Sequence, residues 1–142
     1  MNDQICTALN INHICLAVRD IEETLRFYQD LFGIGDVDIK NIEDQRVRAA
    51  LVKVGNTQLE FIQPIDAIGG VARFIERRGE GMHHICFEVD NLENTLKQLD
   101  AENIQLIDKT PRVGLSGMIA FIHPKETHGV LIELVDHDTA KR

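Results

Sequence analysis

The sequence predicts an α+β fold in which two tandem βαβββ modules form a curved mixed sheet with a concave face. Three observations predict it. Residues 13–25 (HICLAVRDIEETL) and 84–96 (HICFEVDNLENTL), offset by 71, agree at seven of thirteen positions. Each copy passes from a short apolar, β-branched-rich run into a segment with helical spacing. Each copy is then followed by several short runs separated by turn signals. A repeat of this length sets the architecture, because each copy must be the same supersecondary unit.

The elements follow in order. Residues 11–18 and 83–89 read as strands. Asp20 and Asn91 follow as helix N-caps, whose side-chain oxygens can accept from the free N–H groups of the first turn. Glu22, Glu23 and Glu93 sit in those first turns, where the helix dipole favours negative charge. Ile21, Leu25, Tyr28, Leu31 and Phe32 form one apolar stripe, and Leu92, Thr95, Leu96 and Leu99 the other. Gly33 ends the first helix and Asn103 the second. Further strands are expected at 35–42, 47–54 and 57–63, with Gly55-Asn56 as a turn, and at 105–108, 117–123 and 130–135, with His128-Gly129 as a turn. Between the modules, Val71–Ile75 reads as a short helix and Arg77–Gly81 as a loop. The ends, 1–8 and 137–142, are polar enough to fray.

The 142 residues suit one domain over 1–142: module one at about 10–63, a connection at 64–82, module two at about 83–136. With 44% hydrophobic and 27% charged residues the composition is that of an ordinary globular protein, and with 5% aromatics and no Trp the core must be aliphatic. A formal charge of −8 argues against nucleic-acid binding, which needs clustered Lys and Arg. No apolar run reaches ~18 residues, so no membrane span is expected. MNDQICTALN lacks a signal-peptide pattern. Cys6, Cys15 and Cys86 form neither a Cys-x-x-Cys pair nor an even set, which points to free thiols and a cytoplasmic protein.

The chemistry-bearing residues lie on the repeat. Alternation along a strand puts His13 on one face with Cys15 and Ala17, and His84 on one face with Cys86 and Glu88, a small or polar face that suits the wall of a cavity. The last strand of each half carries one glutamate within an apolar run: Glu60 in QLEFI and, 73 residues later, Glu133 in LIELV. A carboxylate there is costly to bury unless it is paired or holds a metal. Any one of the four could be a hydrogen-bonded or salt-bridged core residue. Together, at repeat-equivalent positions, His13, Glu60, His84 and Glu133 read as the ligands of one divalent metal in a cup. Two imidazoles and two carboxylates suit Co, Zn, Mn or Ni, and Fe(II) as well. His83 should face away from this site, and His123 and His128 read as structural or substrate-facing. Cys15 and Cys86 read as small core or cavity-wall residues, and Arg77 and Arg78 as a solvated loop.

Several motifs carry a resemblance: Asn12-His13-Ile14, Asn56–Phe61 (NTQLEF), Arg78–Ile85 (RGEGMHHI) with Phe87–Asp90 (FEVD), and Phe121–Lys125 (FIHPK) leading to Gly129–Leu134 (GVLIEL). Over roughly residues 10–136 the chain resembles the vicinal oxygen chelate, or glyoxalase-like, superfamily, and within it most strongly the methylmalonyl-CoA epimerase family. The resemblance implies an isomerase acting on an acyl-CoA thioester. It would interconvert (R)- and (S)-methylmalonyl-CoA by C2 proton exchange through a metal-stabilised enolate. Glu133 would be both ligand and catalytic base; Lys125, His128 and Arg112 are candidate substrate contacts; and a homodimer is expected. The chain departs from the family's pattern at three places. Ala49 stands where some members carry a second glutamate acid/base, Arg46 stands where a glycine is usual, and Gly69-Gly70 replaces a serine-proline helix entry. A glyoxalase I-type isomerase and a non-catalytic small-molecule-binding protein on the same fold are the alternative readings.

Overall fold

The computed structural model describes residues 4–142. They fall into two compact units: residues 14–83, and residues 84–142 together with the N-terminal stretch up to His13. The chain runs β1 (Asn10–Ala17), α1 (Ile21–Phe32), β2 (Lys40–Ile42), β3 (Val47–Val54), β4 (Thr57–Pro64), α2 (Gly70–Arg78), β5 (Gly81–Val89), α3 (Leu92–Ala101), β6 (Arg112–Gly114), β7 (Gly117–Ile122) and β8 (Ile132–Asp136). This is α+β, with βαβββ written twice, as the repeat predicts.

In the first unit the strand order is β2-β3-β4-β1. β3 runs antiparallel to β2 and β4, while β1 is parallel to β4. Asp20 caps α1 through Glu23 N at 3.0 Å, and Gly33 closes it at φ 67°. The sheet face below holds Ala50 opposite Phe61, which cluster with Val18, Ile21, Leu25 and Val52. Burying each such Ile, Leu or Phe contributes about 1.5–3 kcal/mol. The predicted stripe on α1 fades along the helix: Ile21 and Leu25 are buried and Tyr28 packs edge-on to Phe61, but Leu31 and Phe32 are exposed.

The second unit repeats the plan as β5-β8-β7-β6, with β5 parallel to β8 and β7 antiparallel to both its neighbours. Asn91 caps α3 through Asn94 N at 3.1 Å. Val89, Leu92, Leu96, Leu99, Leu106, Ala120, Ile122, Ile132 and Leu134 form its core. The sheet's other face gathers Cys86, Ile119, Phe121 and Val135. The repeat extends to a polar detail. Ile21 N donates to Gln63 Oε1 at 2.9 Å, and Leu92 N donates to Asp136 Oδ2 at 3.1 Å. In each unit the first helical N–H is thus satisfied from the end of the strand carrying the glutamate.

Several boundaries differ from the sequence reading. Of 35–42 only Lys40–Ile42 is strand, followed by a 3-10 turn at Glu43–Gln45; Val37 and Ile39 still pack on the core without pairing. Residues 105–108 hold only an isolated bridge, Leu106 with Ile122. There the Asp108 carboxylate takes the Phe121 N–H at 2.9 Å in place of a backbone partner, and the strand forms later as β6. α2 extends through Arg77 and Arg78, so the expected Arg77–Gly81 loop shrinks to Gly79-Glu80. The C-terminal stretch 137–142 is anchored rather than frayed: Lys141 N donates to Ser116 O at 2.8 Å and Arg142 pairs with Glu88 at 2.8 Å. Of the expected fraying at 1–8, residues 1–3 lie outside the described residues, while Ile5 and Cys6 pack on the core. Among the described residues no helix is long and apolar enough to cross a membrane.

Candidate metal centre

Three of the four predicted ligands meet inside the second unit. β5 places His84 and Cys86 on one face, and the β5–β8 register sets Cys86 opposite Glu133. The N-terminal half of β1 delivers His13. All three side chains are buried. His13 Nε2 lies 2.9 Å from Glu133 Oε1 and 3.2 Å from His84 Nε2, and His84 Nε2 is 3.4 Å from Glu133 Oε1. The two imidazoles are edge to face, 5.3 Å between centroids.

The surroundings fix and dry this cluster. The His84 ring stands at 90° to Phe121, 5.2 Å away, and Cys86, Ile119 and Val135 share that face. The face is therefore more apolar than its own strand suggests, because β7 and β8 contribute the neighbours. Burial alone would raise the Glu133 carboxyl. The His13 and His84 rings, whose Nε2 atoms lie 2.9 and 3.4 Å from Glu133 Oε1, outweigh it and hold the group well below the usual carboxylate range. The ionised carboxylate is the form a cation would find. His13 Nδ1 lies 2.7 Å from Asn12 Oδ1, an arrangement that leaves Nε2 turned to the cluster.

These residues fit a divalent metal. Glu133 Oε1 is buried and makes no well-directed hydrogen bond, although two ring nitrogens crowd it. Donor atoms ~2.0–2.1 Å from a shared centre stand ~2.9 Å apart at a right angle and ~3.3 Å apart at the tetrahedral angle. The three observed separations span that range. Neutral imidazole and carboxylate are also the donor types that Co, Zn, Mn and Ni accept.

The other predicted residues fall as follows. Glu60 is buried on β4, where it pairs with Cys15, matching Glu133 opposite Cys86. Arg112 lies beside the cluster: its guanidinium sits 5.5 Å over the Phe121 ring and pairs with Asp108 at 3.0 Å. Lys125 and His128 are exposed in the turn before β8, where His128 takes φ 59°. His83 is half-buried, edge-on to Phe74 at 4.9 Å. Ala49 is buried in β3, between Lys40 and Ile62. Sequence reasoning missed Asn12 and Phe121 as partners of the two histidines. Both stood in the quoted motifs, but only the register of β7 and the path of the C-terminus reveal their role.

Residues 12–121 match the model of the Glyoxalase/Bleomycin resistance protein/Dioxygenase superfamily. The chain is 39% identical to the uncharacterized protein YqjC of Bacillus subtilis, over 89% of this chain and 91% of that one. It is 34% identical to a mitochondrial methylmalonyl-CoA epimerase of Dictyostelium discoideum, over 87% of this chain and 76% of that one. Among solved structures, a Streptomyces coelicolor methylmalonyl-CoA epimerase variant in complex with 2-nitronate-propionyl-CoA superposes with TM-score 0.87 at 28% identity, covering 96% of this chain and all of the other (100%). A repeated βαβββ unit, a buried His-His-Glu cluster and these likenesses agree: the chain belongs to the Glyoxalase/Bleomycin resistance protein/Dioxygenase superfamily.

Proposed function

We propose that the chain is a metal-dependent epimerase that interconverts (R)- and (S)-methylmalonyl-CoA by exchanging the proton at C2. The observation that carries this reading is the buried convergence of His13, His84 and Glu133, in a chain whose relatives include methylmalonyl-CoA epimerases. A C2 proton flanked by a thioester and a carboxylate is weakly acidic, so its removal needs a base and a means of holding the resulting negative charge. A divalent ion, when bound, supplies the Lewis acidity that stabilises that charge. His13 and His84 hold donor nitrogens in place, and the apolar wall of Phe121, Ile119 and Val135 keeps water from competing. Glu133 has two carboxylate oxygens, so one can serve as a ligand and the other as the base. Arg112 is the substrate contact we favour, because CoA thioesters are anionic and it is the guanidinium stacked on Phe121.

Glu60 completes the ligand set in this reading, and Glu60→Gln is expected to weaken metal binding. Ala49 offers no acid or base, so another group returns the proton on the opposite face. The active form is taken to be a homodimer, which light scattering on the purified protein decides. The decisive experiment incubates methylmalonyl-CoA with the metal-loaded protein in deuterated water. Deuterium should enter C2, and the exchange should vanish in Glu133→Gln and His84→Ala. No exchange with cobalt, zinc, manganese or nickel would sink the reading, and turnover of a glutathione hemithioacetal in its place would favour the glyoxalase I alternative.

A further inference from the structure

The repeat carries a cation at one register position in both units. In the second, Phe121 pairs with Glu133, Ile119 lies two residues before Phe121, and Arg112 of β6 stands opposite Ile119. In the first, Leu51 pairs with Glu60, Ala49 lies two residues before Leu51, and Lys40 of β2 stands opposite Ala49. Directly opposed residues of an antiparallel pair share a face. Ile119 packs with Cys86, Phe121 and Val135, so Arg112 takes the face of β6 that continues this wall. Gly114, the next β6 residue on that face, has no room for a side chain, since a Cβ there would lie 2.6 Å from Ile119 Cδ1. Val113, on the other face, is 71% exposed.

The two cations differ in how they are held. Lys40 is exposed, and among the described residues no ring or carboxylate holds it. Arg112 is held twice. Its Nε donates to Asp108 Oδ1 at 3.0 Å, and its guanidinium lies 5.5 Å from the centre of the Phe121 ring. Asp108 is itself fixed, because its Oδ2 accepts from Phe121 N at 2.9 Å. The Asp108 side chain is 15% exposed and that of Arg112 37%, so the brace is mostly buried while the guanidinium it holds still meets solvent. The terminal nitrogens of Arg112 meet no acceptor among the described residues. They form the rigid donor edge that matches a carboxylate with two parallel hydrogen bonds. One ring, that of Phe121, stands between this edge and the His84 imidazole, 5.2 Å beyond it. In methylmalonyl-CoA the carboxylate is one carbon from the thioester, whereas the phosphates lie at the far end of the pantetheine arm. The anion that fits beside the ligand cluster is therefore the carboxylate.

We propose that Arg112, braced by Asp108 and Phe121, receives the free carboxylate of the acyl group and so selects CoA thioesters of dicarboxylic acids over neutral ones of the same shape. Asp108 is a positioning residue. The proposal rests on the reading of the chain as a protein that acts on an acyl-CoA thioester.

The test compares two ligands that differ at one group: isobutyryl-CoA has a methyl where methylmalonyl-CoA has its carboxylate. Calorimetry gives dissociation constants for both, and for CoA alone, on wild type, Arg112→Lys, Arg112→Gln, Asp108→Asn and Lys40→Gln, each with and without cobalt. The ratio of the two thioester constants cancels any loosening of the site, because both ligands meet the same loosened site. Arg112→Gln should cut the preference for methylmalonyl-CoA about 10- to 100-fold with or without cobalt. Arg112→Lys should keep part of it, Asp108→Asn should lose less than Arg112→Gln, and Lys40→Gln should leave the ratio at its wild-type value. An unchanged ratio in Arg112→Gln overturns the proposal. Equal weakening of methylmalonyl-CoA, isobutyryl-CoA and CoA assigns Arg112 to the phosphates of CoA and overturns it too, as does a loss of preference in Lys40→Gln in place of Arg112→Gln. Deuterium exchange at C2, run on the same samples, separates the two failures. Exchange without an Arg112-dependent preference leaves the epimerase reading standing and removes the carboxylate site. The preference without exchange sinks the epimerase reading and keeps the site.

Discussion

His84 is held by a line of side chains that ends at a charged pair. Its ring meets Phe121 edge-on, Arg112 covers that ring, and Asp108 grips Arg112 through one oxygen and the Phe121 N–H through the other. Phe121 is therefore both packing and alignment. Truncation to alanine should destabilise the protein by about 3–5 kcal/mol, because it opens a cavity in a close-packed layer. Urea unfolding measures this loss. Phe121→Leu keeps most of the volume but loses the ring edge, so it should cost less stability and still weaken cobalt binding in titrations of the folded variant. Much of this neighbourhood was legible in the sequence and some was not. His13, His84 and Glu133 were readable because the repeat aligned them and because a lone carboxylate in an apolar strand demands an explanation. Phe121 was not readable as the partner of His84. Alternation tells which face a residue takes on its own strand, but the neighbour across the sheet depends on a register that the sequence does not display.

At the level of elements, the repeat predicts how each helix is tied to its sheet. Gln63 and Asp136 both cap the first helical N–H, from positions three residues beyond Glu60 and Glu133. Gln63→Ala and Asp136→Ala should each cost about 1 kcal/mol. Asp136→Ala should cost more, since its charge also complements the helix dipole and it accepts from Asp138 N. Chemical denaturation of the two variants gives the comparison. The helix stripes and caps were legible because they follow local rules. The short β2 and the late β6 were not, because Val37 and Ile39 bury their side chains without strand pairing and Asp108 substitutes for a strand partner. The Arg46 and Gly69 departures are one feature rather than two. Arg46 takes φ 57°, the left-handed conformation that suits glycine, and pairs with Asp66 at 2.6 Å. A Cβ on Gly69 would lie 3.2 Å from the Arg46 Cβ. Gly69→Ser should therefore destabilise the wild-type chain. In an Arg46→Gly background the same serine has room to cap α2, and the penalty should shrink or reverse. A double-mutant cycle in urea measures the coupling.

Over the whole molecule, the sequence suggests two successive modules, yet the second compact unit is discontinuous. It joins the N-terminal stretch through His13 to residues 84–142. Leu9 N donates to Glu88 O at 2.9 Å, Asn12 binds Lys141, and Ile5 and Cys6 pack on the α3 core. The candidate ligands His13, His84 and Glu133 sit far apart in sequence, so an ion held by all three clips the N-terminal stretch to the rest of its unit. An ion that binds the folded state and not the unfolded chain stabilises it by about 2.7 kcal/mol at a hundredfold excess over Kd and about 4.1 kcal/mol at a thousandfold. At about 2–4 °C per kcal/mol for a chain of this size, saturating zinc or cobalt should raise Tm by roughly 5–15 °C, and a chelator should reverse the gain. Glu133→Gln should show little response to either. The gain should also have a location. Hydrogen exchange at the amides of residues 9–13 should slow on metal addition more than exchange at α1 or β3, because those residues carry the clip. Uniform slowing of all amides, or a Tm indifferent to metal and chelator alike, would show that His13 does not join the N-terminal stretch to the rest through an ion.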